Sequence, residues 1–170
     1  MDAIRFAEAV TKDKKLRIGV ANNYKADREV KAAFEKAVET IRGFGYPVND
    51  VAAPLGKPGE DMDISDIEAD RKSIAGQAFK DIDVLLLPTT TTTVPQVGDA
   101  SASPQALSPE NTAFANYYGL PAISLPCGFD SHGLPLGLQI VGKPWEEGDV
   151  LRLAYQYESV TEYHKEHPSL

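Results

Sequence analysis

Apolar residues recur along this chain with two different periods. Val30, Phe34, Ala37, Val38 and Ile41 stand three or four apart, with Glu29, Lys31, Glu35, Lys36 and Glu39 between them, which puts one apolar stripe on a helix. Asp27 occupies an N-cap position, and Gly43 and Gly45 stop the helix. Ahead of it, Leu16–Val20 is a short β-branched run between polar residues and predicts a strand near the sheet centre or one neighbour out; Ile4–Val10 predicts a short helix before that. Tyr46–Val51 predicts a brief edge strand, because Pro47 brings no ladder donor. Residues 52–63, with prolines, glycines and charges in no period, predict a loop.

Ser65-Asp66-Ile67-Glu68 matches a capping box and predicts a helix to about Lys80, with Ile67, Ile74, Ala78 and Phe79 inward. Asp83–Pro88 is continuously apolar after its first residue, the mark of a strand covered on both faces. Thr89 to Thr93 follow directly. As β-branched residues they make a polar exit from the sheet; as hydroxyls at the carboxyl end of a strand they can also line a pocket. Residues 94–108 predict a loop, and Pro109-Glu110 opens a helix to Tyr118 that Gly119 ends. Ala122–Pro126 predicts a strand too apolar to face water, and Pro135–Val141 a second, joined by the turn Asp130-Ser131-His132-Gly133. After Pro144, Asp149 begins a last helix with Val150, Leu153, Ala154, Tyr157 and Val160 on one stripe and an Asp149–Arg152 pair. The tail, His164–Leu170, is charged and predicts a frayed end.

Alternating strands and helices with buried strands predict an α/β layer architecture, a mixed sheet covered by helices, in one domain spanning 1–170. The 170 residues, 42% hydrophobic, are enough for one ordinary core. Seventeen basic against 25 acidic side chains give a net charge of −8 with no basic block, which argues against nucleic acid and anionic membrane as direct partners. The single cysteine, Cys127, cannot form an internal disulfide, and no segment approaches the ~20 apolar residues of a membrane span. The N-terminus lacks the apolar core of a secretory signal, so a reducing, cytoplasmic setting is expected.

Few residues offer chemistry by pattern alone. Gly137 to Lys143 fits seven positions of a phosphate-binding loop, but Pro144 replaces the hydroxyl residue and the interior reads as strand. His164 and His167 have neither a third ligand nor a zinc-helix pattern, so no metal site is expected. Cys127 has apolar neighbours and no adjacent base. Ser124 lies within a strand without the Gly-x-Ser-x-Gly elbow.

A longer ordered set is informative. Asn111-Thr112, Asn116, Gly119-Leu120-Pro121-Ala122, Leu125-Pro126-Cys127-Gly128-Phe129 and Gly133 through Gly142 together resemble the C-terminal portion of amidase signature enzymes, the serine amidases that include the A subunit of tRNA-dependent amidotransferases. Pro144-Trp145, Leu151, Ala154, the Leu16–Val20 strand with the Val30–Gly45 helix, and Leu87-Pro88-Thr89-Thr90 extend the resemblance over most of the chain. It implies an α/β/α fold around a mixed sheet and amide hydrolysis through an acyl-serine, with a Lys–Ser–Ser triad and an oxyanion hole of peptide amides. Those groups activate a hydroxyl and stabilise developing negative charge.

In the family they come from a lysine and a Gly/Ser-rich segment upstream of the part represented here, and the 170 residues contain no GGSSGGS-like run. The resemblance therefore assigns no catalytic residue to this chain, and no cofactor. It carries over only substrate-side positions: Thr89 and Thr90 at the sheet edge, Thr112 and Asn116 on the following helix. Three departures stand out: a shorter insertion before Leu87, Thr91 in place of a proline, and Pro109 where amidotransferase A subunits tend to place an aspartate for glutamine.

Three functions follow as expectations. The first is an amidase-family part that acts on a small amide only with a separate catalytic half. A second is a non-enzymatic remnant or binding module that self-associates through exposed core surface. The third is a compact hydrolase using Cys127 or Ser124 with His132, which needs those side chains within ~3 Å of one another.

Overall fold

The computed structural model describes residues 14–56, 63–102 and 108–166. The expected Ile4–Val10 helix and His167 lie outside these. Strands β1 (Ile18–Ala21), β2 (Val48–Val51), β3 (Val84–Pro88), β4 (Ala122–Phe129) and β5 (Pro135–Gly142) form one sheet in the order β2-β1-β3-β5-β4. β1 pairs in parallel with both β2 and β3, whereas β5 runs antiparallel to β3 and to β4. The sheet is therefore mixed, with the apolar run β3 at its centre.

Alternation along the strands sends side chains to two separate cores. On one face, Ile18, Val84, Leu86, Leu138 and Ile140 pack beneath helix α1 (Arg28–Arg42) and the last helix, Glu147–Val160. On the other, Leu85, Leu87 and Val141 pack with Ile74 of helix α2 (Ile64–Gln77), Phe79 and Ile82, and with Phe114 and Ala115 of α4 (Ala113–Tyr118). Helices on both faces of a mixed sheet make the α/β architecture that the strand and helix alternation predicts. Between β3 and α4 lies a short helix, α3 (Val97–Ala102), and the last helix is α5.

Several local expectations change for physical reasons. The Ser65–Glu68 capping box does not form; Asp63 is the N-cap, its carboxylate accepting from the Ser65 amide at 3.0 Å, so α2 starts two residues earlier and ends at Gln77. Phe79 is still buried, from the link that follows the helix. Helix α3 escapes an apolar-period reading because it has little apolar face to bury: Val97 is 84% exposed. α4 begins at Ala113 after a turn closed by the Pro109 carbonyl, which accepts from the Thr112 and Ala113 amides, and it ends at Gly119 in the left-handed region, φ 65°. The strand expected to avoid water is an edge strand; Leu125 and Cys127 are buried while Ala122 and Ser124 face outward. A register irregularity between Pro126 and Gly128 lets it continue to Phe129. Val160, expected on the inner stripe of α5, is exposed. The tail includes a 3₁₀ turn, Tyr163–Lys165, with the Tyr163 ring edge-on to Phe129 at 5.9 Å.

At the end of the sheet where β3 starts, one carboxylate ties three strands together. Asp83 is 8% exposed, and its two oxygens accept from Arg17 Nη2 at 2.9 Å, Arg17 Nε at 3.1 Å, the Arg17 amide at 2.9 Å and Lys143 Nζ at 2.8 Å. The bonds from Arg17 first, and from Lys143 next, outweigh the burial that opposes ionisation and hold the carboxyl well below its ordinary 3.8. Because the folded value is the lower one, this stabilisation is complete above the ordinary value and disappears as pH falls toward the folded value. Asp83→Asn should cost about 2–3 kcal/mol at neutral pH, a charged hydrogen-bond cluster being lost. Urea unfolding followed from pH 7 down to pH 2 should show the native chain losing stability below about pH 4, while the variant's curve is flatter there; parallel curves would exclude Asp83 as the acid-sensitive tie.

Candidate functional site

The opposite end of β3 meets water through the five threonines, and the chain there is held by named bonds rather than by a strand. The Thr89 amide donates to the Gly137 carbonyl at 2.9 Å. The Thr91 carbonyl accepts from the Asp27 amide at 2.7 Å, and the Thr93 amide donates to Asp27 Oδ2 at 2.9 Å. The other oxygen of that carboxylate caps α1 by accepting from the Val30 amide at 2.9 Å. One aspartate thus starts a helix and fixes the threonine segment to it.

Asn111, 1% exposed, ties the segment from the other side. Its Nδ2 donates to the Lys25 carbonyl at 2.8 Å and the Thr90 carbonyl at 3.3 Å, and its own carbonyl accepts from buried Gln139 Nε2 at 2.7 Å. Such a residue fixes the relation of three segments because each buried polar atom would be costly without its partner. Asn111 and Gln139 both belong to the ordered set of the sequence, but nothing in it pairs them, and Asp27 reads only as a helix cap.

A cavity of about 690 Å³ opens between the threonine segment, the β4–β5 hairpin and the Tyr163–Glu166 segment. Among the hydroxyls in its wall, Thr89 Oγ1 and Ser124 Oγ are bonded to each other, 2.6 Å apart. Gly137 makes that approach feasible: a Cβ there would stand 2.6 Å from Thr89 Oγ1 and 2.9 Å from Ser124 Oγ. Of the four positions expected on the substrate side, Thr89, Thr90 and Thr112 line this cavity. Asn116 does not. It is exposed in the last turn of α4, where its carbonyl accepts from Arg71 Nη2 of α2 at 3.0 Å.

The compact-hydrolase alternative has no geometry to support it. Cys127 is 1% exposed in the core beneath α1 and α5, and burial pushes its thiol up to about 12, so no thiolate forms near neutrality. His132 is exposed at the hairpin tip, beyond Phe129, and Ser124 is five residues back along the strand from Phe129, roughly 16 Å at the usual rise. Lys143, the end of the phosphate-loop match, is bonded to Asp83, and the preceding glycine-to-glycine run is strand β5. Among the described residues no group of three or more His, Cys, Asp or Glu side chains can hold a metal, and no helix is long and apolar enough to cross a membrane.

The segment that builds β3, the threonines, α4 and the hairpin is also what known proteins share. Residues 62–151, more than half the chain, match the family model described as Amidase. The chain belongs to the amidase family. The A subunit of glutamyl-tRNA(Gln) amidotransferase from Acaryochloris marina is 49% identical over 96 residues, 55% of this chain and 20% of that relative. Its counterpart from Prochlorococcus marinus is 52% identical over 93 residues, 54% of this chain and 19% of the relative. Among solved structures, 6-aminohexanoate cyclic dimer hydrolase complexed with substrate superposes over 99% of this chain and 50% of that chain, TM-score 0.80 at 22% identity. The A subunit of glutamyl-tRNA(Gln) amidotransferase from Thermotoga maritima superposes over 87% of this chain and 43% of its own, TM-score 0.65 at 22% identity. The chain thus aligns with about a fifth of the length of these curated relatives and about half of the solved structures, which at such identity share its fold.

Within this amidase-family fold Asn111 is the support most directly tested. Asn111→Ala removes donors from the Lys25 and Thr90 carbonyls and should cost about 1–3 kcal/mol in urea unfolding. Hydrogen exchange should accelerate at Thr89–Thr93 while β3 and β5 stay protected; unchanged exchange in the threonines would show that Asp27 and the Gly137 carbonyl hold them without Asn111.

Proposed function

We propose that this chain is the substrate-side part of an amidase that cleaves carbon–nitrogen amide bonds, and that it works only with a catalytic part supplying lysine and serine. The observation that carries the reading is the coincidence of the family match over residues 62–151 with nearly all of the cavity wall. Thr89, Thr90 and Thr112 would position a small amide through their hydroxyls, whereas Asn116 contributes only its backbone carbonyl, which accepts from Arg71 and ties α4 to α2. In the acyl-serine route a serine oxygen attacks the amide carbon, the C–N bond breaks, the nitrogen departs with a proton, and water then releases the acid.

Neither nucleophile weighed for this chain has a bonded base to take its proton: Ser124 bonds to Thr89, another alcohol, and Cys127 is buried as a thiol. The reading therefore assigns the catalytic group to a partner, consistent with relatives that are themselves subunits of an amidotransferase. A small amide, no nucleic acid and a reducing cytoplasmic setting complete it, with a second copy of the chain as the alternative partner for exposed edge strand β4. Purified alone, the chain should hydrolyse no amide above background. Co-purified with a family segment carrying the lysine and Gly/Ser-rich run, it should form a stable complex with amide hydrolysis; neither complex nor turnover in such preparations would refute the proposal, as would turnover by the chain alone that is abolished in Ser124→Ala.

A further inference from the structure

We propose that the Thr89–Ser124 hydroxyl pair is the recognition point of the cavity and that it selects a neutral amide on an apolar chain, against carboxylates and ammonium groups. The inference rests on the reading of the cavity as a substrate wall and names what that wall takes. Each hydroxyl brings one donor and two acceptor sites, and the 2.6 Å bond between them uses one donor and one acceptor. One O–H and several lone pairs are left side by side. An amide carbonyl beside its own N–H matches that set.

A carboxylate matches it poorly, because it offers acceptors only and brings a charge that needs an answer. No Lys or Arg lines the cavity among the described residues. An ammonium offers donors only and leaves the free O–H unpaired. His164 and Glu166 reach the cavity from the tail segment, but both are exposed and keep their water, so neither sets the charge at the pair. The rest of the wall sets the hydroxyls of Thr90–Thr93, Ser108 and Thr112 beside apolar Val94, Pro95, Phe129 and Leu136, with Val94 52% and Phe129 37% exposed. A concave site in which apolar side chains surround hydrogen-bonding groups is the general form of a small-molecule pocket, and about 690 Å³ lies within the usual range for one.

The pair is also fixed before any ligand arrives. Thr89 is anchored by its amide to the Gly137 carbonyl, Ser124 sits in register opposite Gln139, and the absent side chain of Gly137 leaves the two oxygens room to meet. Ser124 reads in the sequence as a poor nucleophile, and the same hydroxyl is well placed as a hydrogen-bonding group.

The test is a titration of the full chain near pH 8, followed by backbone amide NMR, with hexanamide, hexanoate, hexylamine and glutamine as separate probes. Hexanamide should bind saturably and shift the Thr89, Ser124 and Gly137 amides, with the other three at least about tenfold weaker. Thr89→Val, which keeps the side-chain shape, and Ser124→Ala should each weaken hexanamide at least about fivefold. Equal or tighter binding of hexanoate, hexylamine or glutamine, no saturable hexanamide binding, or an unchanged Kd in a folded Thr89→Val chain would overturn the inference. Failure of the amidase reading looks different: hydroxyl-dependent hexanamide binding without turnover in any complemented preparation refutes the catalysis and leaves the amide site. Restored turnover with KM unchanged in both variants does the reverse.

Discussion

Because β3 buries Val84 to Leu87 on both faces, every polar group at its two ends has to be answered locally, and the two ends are answered in opposite ways. At the start, Asp83 meets two cations and becomes a fixed ionic tie among β1, β3 and β5. At the finish, the chain passes into threonines whose backbone is bonded to Asp27 and Asn111 but whose side chains are largely left to line a cavity. The dry strand therefore separates a closed, charged end from an open end that meets water through hydroxyls. The cavity opens at the end where open α/β sheets generally place ligands, because the loops leave the carboxyl ends of the parallel strands with groups not committed to the ladder.

The same constraint explains the arrangement of the supports. The Thr90 hydroxyl donates to the Thr92 carbonyl at 2.9 Å within the segment, and further support comes from outside it. Asp27 and Asn111 belong to segments distant in sequence, and both bond to threonine backbone rather than to threonine side chains. Gln139 then connects the asparagine to β5, the strand that also carries Gly137. The Thr89–Ser124 pair thus rests on β5 twice, directly through the Thr89 amide on Gly137 and indirectly through Asn111, which holds Thr90 and is itself bonded to Gln139. A pocket fixed in this way loses little conformational freedom when a ligand binds.

Much of the layer architecture was legible in the chain because it is written in periods. The α1 stripe, the apolar run of β3 and the Asp130–Gly133 turn each depend on neighbours within a few residues, and the ordered set from Asn111 to Gly142 carries the family. What escaped is non-local or half-wet. β4 reads as uniformly apolar because alanine and proline do not announce which face is exposed, yet Ala122 and Ser124 face outward at a sheet edge. Helix α3 offers no stripe since it buries little. The cap of α2 went to Asp63 rather than Ser65 because two neighbouring residues competed for one role, and local pattern does not rank them. For the site, the threonines were visible as a run of hydroxyls, but the pairing of Thr89 with Ser124 needs a contact across 35 positions that only the β3–β5–β4 order creates. Asn116 shows the converse: membership of the ordered set did not put it in the cavity.

The division between a substrate wall and a catalytic wall follows from what hydroxyls can do. An alcohol bonded to an alcohol has no neighbour able to accept its proton at neutral pH, so the pair cannot generate a nucleophile, whereas a serine that attacks an amide needs a base beside it. A desolvated charge brought close to the Thr89–Ser124 pair would also change what the pair selects, since a cation would answer a carboxylate and an anion would favour an ammonium. With hydroxyl and apolar side chains and no Lys or Arg in the described lining, the proposed discrimination rests on hydrogen-bond pattern. In the proposed reading the activating base therefore comes from the facing wall and reaches the amide carbon from the side that the pair does not occupy.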